Sequence, residues 1–191
     1  CFHARDSSYR TTVLPERDDT HNDYRNASVL NYLPAAEEAA RRGYFAFRMG
    51  SVVEEPLPAT DSKVIDYSTN GRTDFLDIYL AAKCRFFFGC GSGIDAVSMA
   101  FRIPTIYANY VPLNHISTWG PEDLTIPKKL WLREEGRYLT FREILDSGIG
   151  EFLRTEQYDQ RGIELVENTA EEITAVAIEM DERLNGTWQP A

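Results

Sequence analysis

The chain has 191 residues, 43% of them hydrophobic, which is enough for one domain whose core needs no disulfide or metal to fold. Its formal net charge is −10, and because a nucleic-acid binder needs a broad basic face, we expect no nucleic acid among its partners. A small anionic ligand is compatible with this charge, since a few N–H groups and one or two arginines hold a phosphate locally.

The first part of the chain predicts strands, a long loop and a helix. CFHARD has the pattern of a buried strand's end, and the charged loop at 7–28 is of a length that is usually functional or disordered. LPAAEEAARRG predicts a helix with Pro34 in its first turn and Gly43 as its stop. The second and third strands are YFAFRMGS and KVIDYST, joined by a proline-containing connection at 52–62.

The middle of the chain continues the alternation of helix and strand. TDFLDIYLAAKC predicts a helix, RFFFGC the fourth strand, the segment 92–101 another helix and TIYANYV the fifth strand. Helical spacing defines one apolar face on each of the two helices. The expected buried positions are Phe75, Ile78, Tyr79 and Ala82 on the first helix, and Ile94, Val97, Ser98 and Phe101 on the second.

The last third begins with an irregular stretch at 111–139 that is rich in aromatic residues and prolines. Two helices follow, and each opens with a predicted capping box, Thr140 with Glu143 and Thr169 with Glu172. The residues that the final helix is expected to bury are Ile173, Val176, Ala177 and Met180.

The alternation of apolar strands with helices predicts an α/β fold, a doubly wound, Rossmann-like parallel sheet in a single domain over 1–191. Such sheets bind ligands beyond the carboxyl ends of their strands, near the point where the strand order reverses. The polar residues of CFHARD, FRMGS and FFFGCGSG all lie at that end, so we expect one ligand site there.

The turn after the fourth strand, GCGSG at 89–93, is the first candidate site. It lacks the lysine of a Walker A loop and the GxGxxG spacing, but Gly91, Ser92 and Gly93 would let a phosphate approach the backbone and the helix that follows. Asp95 lies in the first turn of that helix, where a carboxylate suits the helix dipole. The alternative is a tight strand-to-helix turn that holds no ligand.

Arginines at two strand ends are the second set of candidates. His3 and Arg5 alternate to the same side of the first strand, so both are expected to face the ligand, with Arg5 in bidentate contact with phosphate. Arg48 ends the second strand and is a further phosphate candidate. The alternatives are a pairing of Arg5 with Asp6 or an anchor for the loop, and a structural role for Arg48.

Metal ligands and catalytic groups are sparse. The histidines at 3, 21 and 115 have no metal-site spacing and no Asp-x-Asp motif occurs, so we expect no metal and no cofactor. His115 is the best free candidate for a catalytic base or for a hydrogen-bond donor to the diphosphate. Three cysteines without a CxxC pair favour a reducing compartment, although one disulfide stays open as an alternative.

Several motifs together resemble a known family. HARD, RMGS, TDFLDIYLAA, FGCGSGIDAVSMAFRIPTIYANYVPL, IPKKLWL, LTFREILDSG and VENTAEEI look like a bacterial family catalogued as glycosyltransferases, and the resemblance spans nearly the whole chain. The chain is similar to the carboxyl-terminal, donor-binding half of a GT-B enzyme. The glycine turn resembles that of heptosyltransferase-like enzymes, and HARD resembles the His-x-Arg motif of fucosyltransferase-like enzymes.

The resemblance implies a function and its partners. Arg5 and the turn at 91–93 would bind the diphosphate of a nucleotide sugar, the donor substrate, without a metal. The acceptor, a glycan or lipid-linked molecule, and the catalytic base would require an amino-terminal domain of the same protein. The chain begins at Cys1 inside a predicted strand, so we expect a segment of a longer protein that binds donor but transfers nothing alone.

The implied process is synthesis of cell-surface polysaccharide or lipopolysaccharide, in the cytoplasm or at the periphery of the inner membrane. No apolar run approaches the ~20 residues of a membrane span, and no signal-peptide pattern opens the chain. The enzymatic alternatives on the same fold are a nucleotide-sugar epimerase and a polymer-phosphate transferase. The non-enzymatic alternative is a sensory or scaffolding domain that has lost its ligand.

Overall fold

The computed structural model describes residues 1–58, 61–117 and 119–190. Positions 59 and 60 of the predicted connection at 52–62 lie outside the described residues. So do position 118 of the predicted irregular stretch at 111–139 and position 191 of the predicted domain. The chain is a mixed α/β protein with two small parallel sheets, as expected of its class, and one antiparallel sheet. Among the described residues, no helix has the length and apolar character needed to cross a membrane.

The strands of the described part of the chain form three sheets. β1 (Ala46–Phe47) pairs with β2 (Val64–Ile65) in parallel. A second parallel sheet has the order β3 (Phe87–Gly89), β4 (Thr105–Tyr110), β5 (Leu124–Pro127). The antiparallel sheet, which the sequence did not predict, has the order β7 (Arg137–Tyr138), β6 (Lys129–Leu132), β8 (Ile163–Val166).

The described residues also form seven α-helices. Pro34 lies at the start of α2, and both predicted capping boxes are confirmed at α5 and α7. The helices are α1 (Ser8–Val13), α2 (Leu33–Arg41), α3 (Asp74–Lys83), α4 (Asp95–Ala100), α5 (Phe141–Asp146), α6 (Thr155–Gln160) and α7 (Ala170–Asn185).

Phe2 joins the two parallel sheets. It forms parallel bridges with Arg48 beyond β1 and with Phe88 in β3, and its amide donates to the carbonyl of Phe47 at 2.9 Å. The amide of His3 donates to the carbonyl of Phe88 at 3.0 Å. The strands therefore lie in the order β2, β1, the Phe2 segment, β3, β4, β5.

Two apolar clusters cover opposite faces of these parallel strands. Phe86 and Phe88 pack with α2 and α7, whereas Phe87 packs with α3 and α4. Successive residues of a strand point to opposite faces, so the run of three phenylalanines contributes to both clusters. The predicted core face of α7 is confirmed, with Ile173, Val176, Ala177 and Met180 all buried.

The predicted core face of α3 is largely wrong. Phe75 is 71% exposed, Ile78 46% and Tyr79 49%, while only Ala82 is buried as expected. The helix instead packs Leu76, Leu80 and two alanines against the sheet. Apolar residues surround α3 on several sides, and the small alanine side chains are the ones that let its backbone come close to the strands.

The predicted core face of α4 is wrong at one residue. Ile94, Val97 and Ser98 lie against the core as predicted, but Phe101 is 56% exposed. The helix ends at Ala100, so the helical spacing on which the prediction depended no longer applies at Phe101.

Replacing Phe75 by alanine should change the free energy of unfolding by less than about 0.5 kcal/mol, as is usual for an exposed side chain. Leu76→Ala, one position along the same helix, should cost more because Leu76 packs against the buried cluster. Denaturant unfolding of the two variants measures the difference. A larger loss for Phe75→Ala would show that the exposed ring is covered by something in solution.

Candidate functional site

A cleft of about 570 Å³ opens at the carboxyl ends of the Phe2 segment, β1 and β3. His3 and Arg5 form one wall, and Ser92 and Gly93 of the glycine turn form another. The segment after β1, α1 and the start of α3 complete the lining. Four of the residues that the sequence singled out, His3, Arg5, Ser92 and Gly93, thus line one cleft.

This cleft, which we call the arginine cleft, is locally cationic although the protein as a whole is acidic. Four arginines line it, against three aspartates, although the chain as a whole has a net charge of −10. The lining arginines are Arg5, Arg10, Arg25 and Arg72, and the aspartates are Asp6, Asp74 and Asp77. A cleft with low-dielectric walls focuses the electric field of the charges that line it. Because the lining has more arginines than aspartates, an anion is the favoured ligand.

The glycine turn is occupied from within, by the carboxylate of Asp95. One carboxylate oxygen of Asp95 accepts hydrogen bonds from the amides of Gly91 at 2.6 Å and Ser92 at 2.8 Å, and the other accepts from the Ser92 hydroxyl at 2.9 Å. Asp95 is 3% exposed. Gly91 and Ser92 thus donate to an internal anion, as in the alternative of a tight turn that holds no ligand. Phosphate contacts of Gly91, Ser92 and Asp95 stay a prediction.

Burial raises the pKa of Asp95, while the nearby His3 and the donors of the turn oppose that rise. Gly91 itself is required by geometry. Its φ is +80°, and an added Cβ atom would lie 2.7 Å from the ring of Tyr110. Gly93, by contrast, has open space where a Cβ atom would be, and it lines the cleft.

Arg5 anchors the long loop as well as lining the cleft. Its guanidinium donates to the carbonyl of Asn22 at 3.1 Å and to the side chain of Asn26, and it lies 3.4 Å from a carboxylate oxygen of Asp19. Burial lowers the pKa of Arg5, and the neighbouring charge of Arg25 lowers it further. The loop-anchor alternative is thus realised, and two cations lie close enough to favour an anion near them.

Arg25 is a site residue that the sequence did not reveal. It ends a 3₁₀ helix, Thr20–Arg25, and donates to the carbonyl of Gly91 in the turn. Tyr24, which is buried against Tyr158, holds this helix in place. The loop lacks a helical or strand pattern, so only its length indicated a function.

His3 has a defined orientation beside the cleft. Its Nδ1 atom lies 2.9 Å from the carbonyl oxygen of Met49, so this nitrogen carries the proton and donates it. In the neutral ring the Nε2 atom is then the acceptor. His3 and Arg5 both line the cleft, consistent with the alternation along the first strand.

Arg48 and His115 lie elsewhere. Arg48 is 2% exposed, donates to the carbonyl of Glu55 at 2.6 Å and lies 3.6 Å from Asp66, contacts that fit the structural alternative. It does not line the cleft of His3 and Arg5. It lines a second cleft, on the side of the first strand that Ala4 faces. His115 is exposed at the end of a short 3₁₀ turn and is not brought to the arginine cleft as a base.

Across residues 1–58, 61–117 and 119–190, no three or more metal-ligating side chains come together. The three cysteines are free thiols, and burial raises the pKa of the Cys90 thiol to about 12, so it is a poor nucleophile. Comparison of the chain with protein-family models, curated proteins and solved structures finds no match.

Proposed function

We propose that the chain is the nucleotide-sugar-binding domain of a metal-independent, GT-B-like glycosyltransferase. The main support is the position of the arginine cleft. Counting the Phe2 segment as the first strand, the parallel strands follow the order 3-2-1-4-5-6, which is that of a doubly wound, Rossmann-like sheet. In such sheets the ligand binds where the order reverses, here between Phe2 and β3.

The size and lining of the cleft suit a nucleotide sugar. Small-molecule sites have volumes of about 300–1,000 Å³ and combine apolar walls with a few polar groups, and a cleft of about 570 Å³ lies within that range. Its apolar lining would pack against the base or the sugar, and the arginines would hold the diphosphate. The apolar lining residues are Tyr9, Val52, Ile78, Ile94 and Val97.

The chemistry required of this domain is electrostatic. When the sugar leaves, negative charge grows on the diphosphate, and preorganised cations stabilise it without a metal. Arg25 donates one hydrogen bond among the described residues, so most of its guanidinium N–H groups remain for a ligand. The acceptor, a glycan or a lipid-linked molecule, and the catalytic base belong in this proposal to an amino-terminal domain, so the chain alone binds without transferring.

One observation favours a second candidate, a non-catalytic domain with no nucleotide ligand. The carboxylate of Asp95 accepts the hydrogen bonds of the glycine turn, and the guanidinium of Arg5 donates to Asn22 and Asn26 in the loop. A site that has lost its ligand would be expected to satisfy its donors internally in this manner.

Titration of the 191-residue chain separates the two candidates. We expect uridine and guanosine diphosphates and their sugars to bind better than the nucleosides. Arg25→Ala should weaken the diphosphate ligands by about 1.5–3 kcal/mol, or roughly ten- to hundredfold, and leave the nucleosides unchanged. Arg133→Ala, which removes an exposed arginine just after β6, is the matched control. If no nucleotide binds or raises the melting temperature, the non-catalytic candidate stands.

A further inference from the structure

α1 and the residues after it cover the cleft with almost no apolar attachment. α1 has no buried residue, and residues 11–18 are all exposed. Yet Tyr9 and Arg10, both on α1, line the cleft. The position of this segment over the cleft therefore depends on polar contacts.

The carboxylate of Asp19 connects α1 to the wall of the cleft. One oxygen lies 3.3 Å from a guanidinium nitrogen of Arg10, and the other lies 3.4 Å from a guanidinium nitrogen of Arg5. The first oxygen also accepts a hydrogen bond from the side-chain amide of Asn22 at 2.8 Å. Asp19 thus holds together two cleft arginines, Arg5 after the Phe2 segment and Arg10 on α1.

These two arginine contacts are loose. Hydrogen bonds between a guanidinium and a carboxylate are usually about 2.7–2.9 Å long, so the distances at Asp19 fall short of the strongest geometry. The side chain of Asp19 is nevertheless only 9% exposed, and it has given up most of its water. A phosphate group, with more charge and three acceptor oxygens, would satisfy both arginines better than one carboxylate does.

We propose that Asp19 is an internal stand-in for a ligand phosphate, and that Arg10 is a phosphate-binding residue carried by a lid. When an anion enters the cleft it displaces Asp19 and binds between Arg5 and Arg10. The segment 8–18, which includes α1, is then held over the cleft by the ligand. This inference rests on the proposed function only in taking the ligand to contain a phosphate.

The first test uses inorganic pyrophosphate, titrated by calorimetry into the 191-residue chain. Asp19→Asn removes the competing charge, and it should tighten pyrophosphate binding by about three- to fivefold. Asp18→Asn is the matched control, because it changes the net charge equally at an exposed neighbour that contacts neither arginine. An unchanged or weaker affinity of Asp19→Asn, or an equal gain in the control, would overturn the proposal.

The second test needs no variant. Amide hydrogen exchange at residues 8–13 of the wild-type chain should slow several-fold when pyrophosphate is added, because the ligand then ties Arg10 to Arg5. Unchanged exchange there, or no pyrophosphate binding to either protein, contradicts the lid. If both tests succeed while nucleoside diphosphates and nucleotide sugars bind no better than pyrophosphate, the lid stands and the proposed function fails.

Discussion

Asp95→Ala should lower the free energy of unfolding by about 3 kcal/mol, because it leaves three part-buried hydrogen-bond donors without their acceptor. The amides of Gly91 and Ser92 and the Ser92 hydroxyl all donate to this carboxylate, which is 3% exposed. Urea unfolding followed by circular dichroism measures the loss.

Asp95→Ala also tests whether the glycine turn can bind an added anion. With the carboxylate removed, the turn's donors are open, and formate or inorganic phosphate should restore part of the lost stability to Asp95→Ala. Asp146→Ala, at the exposed end of α5, should lose little stability and gain nothing from added anions. Wild-type stability in Asp95→Ala would mean that this carboxylate does not organise the turn.

Arg5→Ala should have two separable effects. The loop loses its partner at Asn22, Asn26 and Asp19, so we expect a loss of about 2–3 kcal/mol in stability. The cleft loses a cation, so affinity for nucleoside diphosphates should fall by about ten- to hundredfold, with little change for nucleosides. Arg5→Lys should recover less than the full affinity, since an ammonium cannot form the bidentate contact.

The control for Arg5 is the choice of ligand. Thermal unfolding curves first establish the temperature below which each variant is folded, and the titrations are made below that temperature. Nucleoside, nucleoside diphosphate and pyrophosphate are then compared on wild type, Arg5→Ala and Arg5→Lys. An equal loss for all three ligands would make Arg5 a loop anchor only, and the phosphate assignment would fail.

The elements that the sequence predicted best are those with local signals. Pro34 and Gly43 bound α2 as expected, and the capping boxes at Thr140 and Thr169 open α5 and α7. Each of these signals acts within one helical turn. The buried face of α7 was also correct, because a 16-residue helix with one clear apolar stripe leaves few choices.

The elements that the sequence mispredicted depend on neighbours. α3 carries apolar residues on several sides, and only packing against the sheet selected the alanine face over Phe75 and Tyr79. β8 joins β6 in the antiparallel sheet through pairs of residues more than 30 positions apart, such as Leu130 with Leu165. No short stretch of sequence contains that information.

By itself, the sequence determined that His3, Arg5 and the glycine turn meet at one edge of the parallel strands, because period-2 alternation and the carboxyl-end rule are properties of local order. Only the tertiary structure decided which groups are free there. Asp95 reaches back into the turn, Asp19 lies between two arginines, and Arg25 comes from a loop without pattern. Each of these contacts depends on the direction of a folded side chain, which spacing along a chain does not specify.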